Sequence, residues 1–422
     1  MRNNKVVFLH VLLLVLLCLC ACGKKQEDPV EITVMHGWGS TEKDHQAMRS
    51  IYADFQKEHP EIMLKLVSMP TGKELVERAE DRILVGDVPD VIFCGDVGKE
   101  SLYKFMVENH LALDLMPYIK DDREFLHCLS SANLDYWQTP EGELYTVSDV
   151  LMLSGGYWYN EEIFEEAGIS SVPETWEELE SACEKIEIWA KETKKDVKPL
   201  SPTSEGYLYL TDQILAKNKG RGSVAISQNK IPSSKKEILD ALEQQRNIWE
   251  YTEPLTKEYT YRDETKLFNE GRLAMYLNGI WGTSMISENI SASYALWPCE
   301  GGSKVACESA GLGYILGDTK DEERIRASVV FLKYMFSEKV QERILLETGQ
   351  MPANPQICIE DYEEKMPRFC QAAAKVREAD IRIQAPANLW NTEQRQVFQE
   401  QLPSFFQSEI TGEEFLDALK IS

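Results

Sequence analysis

Three tryptophans stand where an indole has little reason to be unless something lies against it. Trp38 sits between Gly37 and Gly39, Trp281 lies in Asn278-Gly279-Ile280-Trp281-Gly282, and Trp390 closes Pro386-Ala387-Asn388-Leu389-Trp390. An indole exposed in a loop gives up burial, and stacking on the apolar face of a pyranose restores it. At about 25 cal/mol per Å2, covering roughly 100 Å2 contributes about 2.5 kcal/mol. Lobe packing accounts for any one of these taken alone; three in separate loops point to a saccharide cleft. Of the nine tryptophans, Trp158 falls within a strand, and Trp176 and Trp189 lie on a helix stripe, which reads as core.

Covalent chemistry has no comparable signal. The sequence holds no Gly-x-Ser-x-Gly elbow, His-Glu-x-x-His, P-loop or EF-hand loop. Gly311-Leu312-Gly313-Tyr314-Ile315-Leu316-Gly317 misses the dinucleotide fingerprint by one residue and reads as a strand whose glycines permit a close crossing. His36, His45, His59, His110 and His127 show no ligand spacing. Cys94, Cys128, Cys183, Cys299, Cys307, Cys358 and Cys370 form no CxxC pair, so neither a metal nor a cofactor is expected. Cys299 and Cys307 fit either a disulfide-closed hairpin or two buried thiols. With 70 carboxylates some pair always lies close in sequence, and nothing singles out a glycosidase pair.

The elements that must carry the loop aromatics alternate. Glu31–Met35 is a short β-type run, followed by the Trp38 loop. Ala47, Met48, Ile51, Tyr52 and Phe55 repeat at helical spacing, and Ile62, Leu64 and Leu66 alternate as a half-buried strand. A helix through Leu75 and Ala79 ends near Gly86, and Asp90–Cys94 is a buried strand. This order predicts βαβ units around a largely parallel sheet. A second set starts with Glu143–Val147 and Gly156–Asn160. It continues into a helix opened by a Thr175/Glu178 capping box, with Trp176, Leu179, Cys183, Ile186 and Trp189 on one stripe. No fixed-period repeat or low-complexity linker appears, so two interwoven lobes with several short crossings are expected.

The chain has 422 residues, 43% of them hydrophobic, and a net charge of −25, which excludes a disordered chain and argues against nucleic acid as a partner. Arg2 and Lys5 precede the apolar run Val6–Leu19, which is short for a spanning helix and reads as an export signal. It ends in Leu19-Cys20-Ala21-Cys22-Gly23, which is similar to a bacterial lipobox, with Cys22 as the lipidated residue. Residues 1–21 are then the leader and 22–29 an anchored linker. Two or more acyl chains hold a protein stably on a membrane.

The chain resembles extracellular solute-binding protein family 1 of ABC importers, the group that includes the maltose-binding protein. The resemblance rests on Phe55-Gln56-Lys57-Glu58-His59-Pro60-Glu61-Ile62, Gly86-Asp87-Val88-Pro89-Asp90-Val91-Ile92, Gly142–Val147 and Trp158–Phe164 with Ala167–Ile169. It continues in Pro173–Leu179, Gly271–Tyr276, Asn278–Trp281, Phe331–Met335 and Gly349–Ala353. The order and spacing of these blocks carry it. It implies an α/β, two-lobed periplasmic-binding-protein-like fold, each lobe a mostly parallel sheet flanked by helices, with the ligand cleft between the lobes. Lobe 1 would take residues 30–147 and 312–362, and lobe 2 residues 148–311 and 363–422, joined by a hinge of two or three strands. It also implies a ligand site built from Trp38, Ser40, Asp96, Gly279, Trp281 and Trp390. Asp149 fits either a hydroxyl ligand or a turn carboxylate; Ser148-Asp149 stands where many relatives have proline. The expected function is a monomeric, non-enzymatic lipoprotein on the extracytoplasmic face. It captures a sugar or oligosaccharide and delivers it to ABC permease transmembrane subunits. A glycerol phosphate, a peptide-like ligand or a secreted glycosidase are the alternatives.

Overall fold

The run Val30–His36 forms β1 because its apolar, β-branched residues are buried from Ile32 onward. The structure, a computed structural model, describes residues 28–70, 72–93, 99, 102–200, 206, 210, 221–228, 230–252, 261–298 and 304–420. Cys22, Asp96 and Cys299 lie outside the described residues. β1 pairs in parallel with β2 (Ile62–Ser68), from Val30↔Ile62 to His36↔Ser68, and with β3 (Val91–Phe93) through Val34↔Val91. The helix Lys43–Glu58 buries Ala47, Met48, Ile51, Tyr52 and Phe55, the stripe its spacing predicts. Among the described residues β2 has a neighbour on one side only, and Leu66, expected on the half-buried face, is exposed.

The remaining strands explain how two lobes form from one chain. β4 (Thr146–Ser148) ends the first sheet, and a single residue, Asp149, separates it from β5 (Val150–Ser154). Gly155 then leads into β6 (Gly156–Asn160) of a different sheet. That sheet, in the order β7-β8-β6-β9, is completed by β7 (Lys198–Leu200), β8 (Leu273–Tyr276) and β9 (Ala292–Leu296). The chain returns through β10 (Val305–Ala310) to β11 (Gly313–Leu316), which closes the first sheet as β2-β1-β3-β11-β4. β5 and β10 pair antiparallel, and with β12 (Met351–Pro352) and β13 (Ile381–Ile383) form a third, linking sheet, β12-β5-β10-β13. The α/β class holds, while the sheets are mixed and not mostly parallel. β4 leaves for the second lobe and β11 comes back from it, so β11 runs antiparallel to both β3 and β4. β6 is likewise antiparallel to β8 and β9. The glycine-rich run does serve a close crossing, since a Cβ on Gly313 would lie 2.7 Å from the Val147 carbonyl oxygen.

Two hydrophobic clusters form the core. One gathers around the first sheet, with Tyr52, Phe55, Tyr314 and Phe331 fully buried, and runs on over the linking sheet to Trp158, Tyr276 and Tyr294 on one face of the second lobe's sheet. The other packs Tyr157, Trp176, Trp297, Phe398 and Phe405 on the second lobe. The Thr175/Glu178 capping box opens the helix Trp176–Thr193 as the sequence predicts. The step from β4 to β5 leaves backbone groups outside both ladders, and side-chain amides satisfy them. Asn133 accepts from the Ser148 N–H (2.7 Å) and donates to its carbonyl (2.9 Å). The Gln341 amide and the Ala353 N–H donate to the Asp149 carbonyl, each at 3.1 Å. The Ser148 hydroxyl donates to the Gly311 carbonyl (2.7 Å) and accepts from the Trp137 indole (2.9 Å), tying the two linking strands together at their first-lobe end.

Candidate ligand-binding site

A cavity of about 240 Å3 opens where the first sheet, the linking strands and the second lobe meet. Its first-lobe wall is Trp38 from the loop after β1, Asp44 and Met48 from the following helix, and Phe93 at the end of β3. Asp149, Val150, Met152 and Leu312 from the linking strands also line it, with Trp281 across from the second lobe. Ile344, Thr348 and Gln350 complete it, from the π-helical turn Ile344–Thr348 and the residues after it. This is the strand-end, lobe-junction position where ligands bind in open α/β sheets. A larger groove, about 910 Å3, runs over the outer face of the second lobe between Trp176–Thr193 and Lys235–Trp249. Neither linking strand lines it, so it is not the interlobe cleft.

The positions of the aromatic residues have local causes. The Trp38 ring lies 4.7 Å from Phe93 and 5.1 Å from His45, centroid to centroid. The Trp38 N–H donates to Nδ1 of the fully buried His36 (3.1 Å), and His36 Nε2 lies 3.0 Å from Ser68 Oγ. Burial and the nearby Arg49 guanidinium hold His36 down to about 4, so the ring is neutral and its Nε2–H donates to Ser68. Arg49 also donates to the Trp38 and Ser40 carbonyls. Sequence reasoning passed over His36 and Arg49, since hydrogen bonds to a loop backbone leave no spacing signature. On the other wall, a Cβ at Gly279 would meet the Trp281 ring at 2.1 Å. Glycine there lets the indole fold over the backbone. The loop is pinned below by Trp158, whose indole donates to the Gly279 carbonyl (3.0 Å).

Asp149 sits on the cavity wall with 1% of its surface exposed. The Tyr314 hydroxyl neighbours its carboxyl and partly offsets the effect of burial, Tyr52 joins Tyr314 at 3.0 Å, and Oδ2 has no partner among the described residues. Desolvation is the main cause that pushes this carboxyl up to about 7. Burial also raises Tyr52 and Tyr314, which stay neutral hydroxyls.

The cavity thus brings Trp38, Asp149 and Trp281 together, with Gly279 behind Trp281. Ser40 does not line it; its hydroxyl is spent on the turn, donating to Glu42 (3.3 Å) and accepting from the Glu42 N–H (3.2 Å). Trp390 needs correction as an exposed loop indole. It is 1% exposed in the second-lobe core, its ring 5.5 Å from Phe398 of the helix that its own segment precedes.

Residues 50–365 match the family model described as bacterial extracellular solute-binding protein. The multiple sugar-binding protein of Streptococcus mutans is 28% identical over 193 residues, 45% of this chain and 42% of that protein. The chain spans about half the length of the curated relatives it matches, 42% and 56% of them. A Streptococcus pneumoniae solute-binding protein, solved in complex with the blood group A-trisaccharide, superposes with a TM-score of 0.76. It is 24% identical, over 92% of this chain and 98% of that one. An ABC substrate-binding protein of Listeria monocytogenes, in complex with cycloalternan, gives 0.72 at 17% identity, over 93% and 97% of the two chains.

Proposed function

The chain belongs to the bacterial extracellular solute-binding proteins, and from that premise we propose that it captures a sugar or oligosaccharide between two closing lobes and delivers it to the permease of an ABC importer. The observation that carries the reading is the interlobe cavity. Trp38 on one lobe and Trp281 on the other offer aromatic surface to the same cavity, and Asp149 in its lining supplies a buried carboxyl as a hydrogen-bond acceptor. Aromatic surface plus a few polar groups is what a pyranose requires, since its ring has apolar faces and an equatorial belt of hydroxyls. The sugar complexes and the sugar-binding name among the relatives support the same ligand class.

Lobe 1 is then residues 30–147 with 312–362, and lobe 2 residues 148–311 with 363–422, the linking sheet acting as the hinge. The molecule works as a monomer and turns nothing over. As a member of an extracellular family it acts outside the cytoplasm, held at the membrane through lipid on Cys22. No described helix is long and apolar enough to cross a membrane. Cys22→Ala is expected to release the protein from the membrane with sugar binding unchanged. A variant that still needs detergent for extraction ends the anchor reading. The decisive test of function is a mono- and oligosaccharide panel read by thermal shift, followed by product analysis. Stoichiometric uptake of intact sugar is expected; turnover makes the protein a glycosidase, and no response from any saccharide removes the proposal.

A further inference from the structure

The interlobe cavity has a charge that a neutral sugar leaves unanswered. Asp149 is fully enclosed, its Oδ2 has no partner among the described residues, and the half-buried Asp44 adds a second carboxylate to the same lining. Among the described residues no lysine, arginine or histidine lines the cavity. Arg49, a neighbouring cation, is engaged by the Trp38 and Ser40 carbonyls. The rest of the wall is Trp38, Phe93, Trp281, two methionines and three aliphatic residues, with Thr348 and Gln350 as its uncharged polar members. A hydroxyl donor would satisfy Oδ2 yet leave a carboxylate uncompensated in apolar surroundings. An ammonium group satisfies the oxygen and the charge together, and aromatic walls favour it further, since a cation is attracted to the face of an indole or phenyl ring.

Resting on the saccharide reading above, we propose that the sugar selected by this cavity carries a protonated amino group, seated on the Asp149 carboxylate and enclosed by Trp38, Phe93 and Trp281. N-acetylation of that amine removes the charge and with it the basis for recognition. The cavity's 240 Å3 is below the size of a typical drug-sized site, which suits one ring of a longer ligand.

The proposal makes binding pH-dependent in a definite direction. The carboxyl near 7 must lose its proton to receive the ammonium, so binding releases a proton and weakens as the solution is acidified. The titratable groups that act on Asp149 are Tyr314 on β11 and Tyr52 on the helix Lys43–Glu58; Asp44 of that helix shares the cavity lining, and His36 at the end of β1 has Arg49 and His45 for neighbours. The helices Ser131–Trp137 and Glu338–Arg343 present the uncharged amides of Asn133 and Gln341, and β12 holds Met351 and Pro352. His36 stays neutral down to about 4 and the two tyrosines stay protonated, so none of these three changes charge between pH 5 and 7, while Asp149 does.

The experiment is calorimetric titration of the soluble chain with glucosamine, N-acetylglucosamine and glucose, and with the β-1,4-linked dimer of each. Glucosamine or its dimer is expected to bind at least tenfold tighter than its neutral counterparts at pH 7, and roughly fiftyfold weaker at pH 5 than at pH 7, the loss of ionised carboxylate over that range. Repeating the titration at pH 7 in two buffers of different ionisation enthalpy should count a net release of up to about half a proton per site by the unmodified protein, which requires no variant to fold. Asp149→Asn should abolish both the amine preference and the pH dependence, bringing the amine-bearing and neutral sugars to the same affinity at pH 5 and pH 7. Neutral sugars binding as tightly as the amines, or an amine preference that survives Asp149→Asn, overturns this inference and leaves the saccharide reading standing. Failure of every sugar, amine-bearing or neutral, while the protein melts cooperatively, overturns both.

Discussion

Trp281 and Trp390 separate what an aromatic residue does from what its neighbours in sequence suggest. Trp281 is half-exposed on the cavity wall, so Trp281→Ala should weaken sugar binding by about 1.5–3 kcal/mol, judged from the apolar contact area lost, with a small change in melting. Trp390→Ala should do the opposite, costing about 3–5 kcal/mol of stability with binding nearly intact, because the ring is enclosed beside Phe398. Calorimetric titration and a denaturation midpoint for each variant check both; normal binding by Trp281→Ala would remove that indole from the site. The glycines beside Trp38 and Trp281 made those two indoles legible, since Gly279 is present for the ring to fold over it. For Trp390 the deciding neighbour is Phe398, on a helix whose docking no local pattern encodes. Charge state was not legible either. His36 and Asp149 are both buried, and they pull stability in opposite directions over the same pH range. His36, lowered to about 4 from 6.5, binds its proton more readily when unfolded, so its contribution is full above pH 6.5 and is lost as pH falls toward 4. Asp149, raised from 3.8 to about 7, holds its proton better when folded. It is neutral in its effect below about 4 and increasingly destabilising as pH rises to 7, on the order of 4 kcal/mol. Asp149→Asn should therefore melt higher than the parent at pH 8 and close to it at pH 4. Equal melting at pH 8 means the carboxyl is not carrying a buried charge.

At the scale of elements, the helices and outer strands follow from local pattern, and the linking sheet does not. The stripe Ala47–Phe55 and the Thr175/Glu178 box are read directly from spacing, because helix periodicity and capping are local. β5 and β10 are short runs whose pairing, Leu151 with Ala310, joins distant parts of the chain, and neither run says which sheet it enters. What holds β4 to β5 is likewise a long-range arrangement: both backbone groups of Ser148 end on the Asn133 amide. Asn133→Ala should leave a buried N–H and a buried carbonyl unpaired and lower stability by about 2–6 kcal/mol, at about 1–3 kcal/mol per stranded group. Asn133→Asp, which keeps the acceptor for the Ser148 N–H and loses the donor, should fall between. Chemical denaturation measures both, and an Asn133→Ala variant within error of the parent would show that the crossing is held elsewhere.

For the whole molecule, the topology decides what motion is available. Two antiparallel strands, β5 and β10, join the first sheet to the second lobe's sheet β7-β8-β6-β9, and a third passage runs from β12 through the helix Pro367–Arg377 to β13. Three crossings leave little freedom to twist or slide, while a bend near Asp149, Gly155 and Gly311 breaks no ladder pairing. The cavity walls come from both sides of that bend, so a ligand gains its full contacts only when the lobes approach, and the equilibrium shifts toward closure by the difference in affinity between the two states. Solution scattering should therefore show a smaller radius of gyration at saturating sugar than without it. The Trp281→Ala variant tests the coupling directly. Its unliganded radius should match the parent's, because the indole does not join the lobes through the strands, yet more sugar should be needed to reach the compact value. An unchanged radius at saturation in the parent would mean that ligand enters without closure, and the linking sheet would then be a rigid strut and not a hinge.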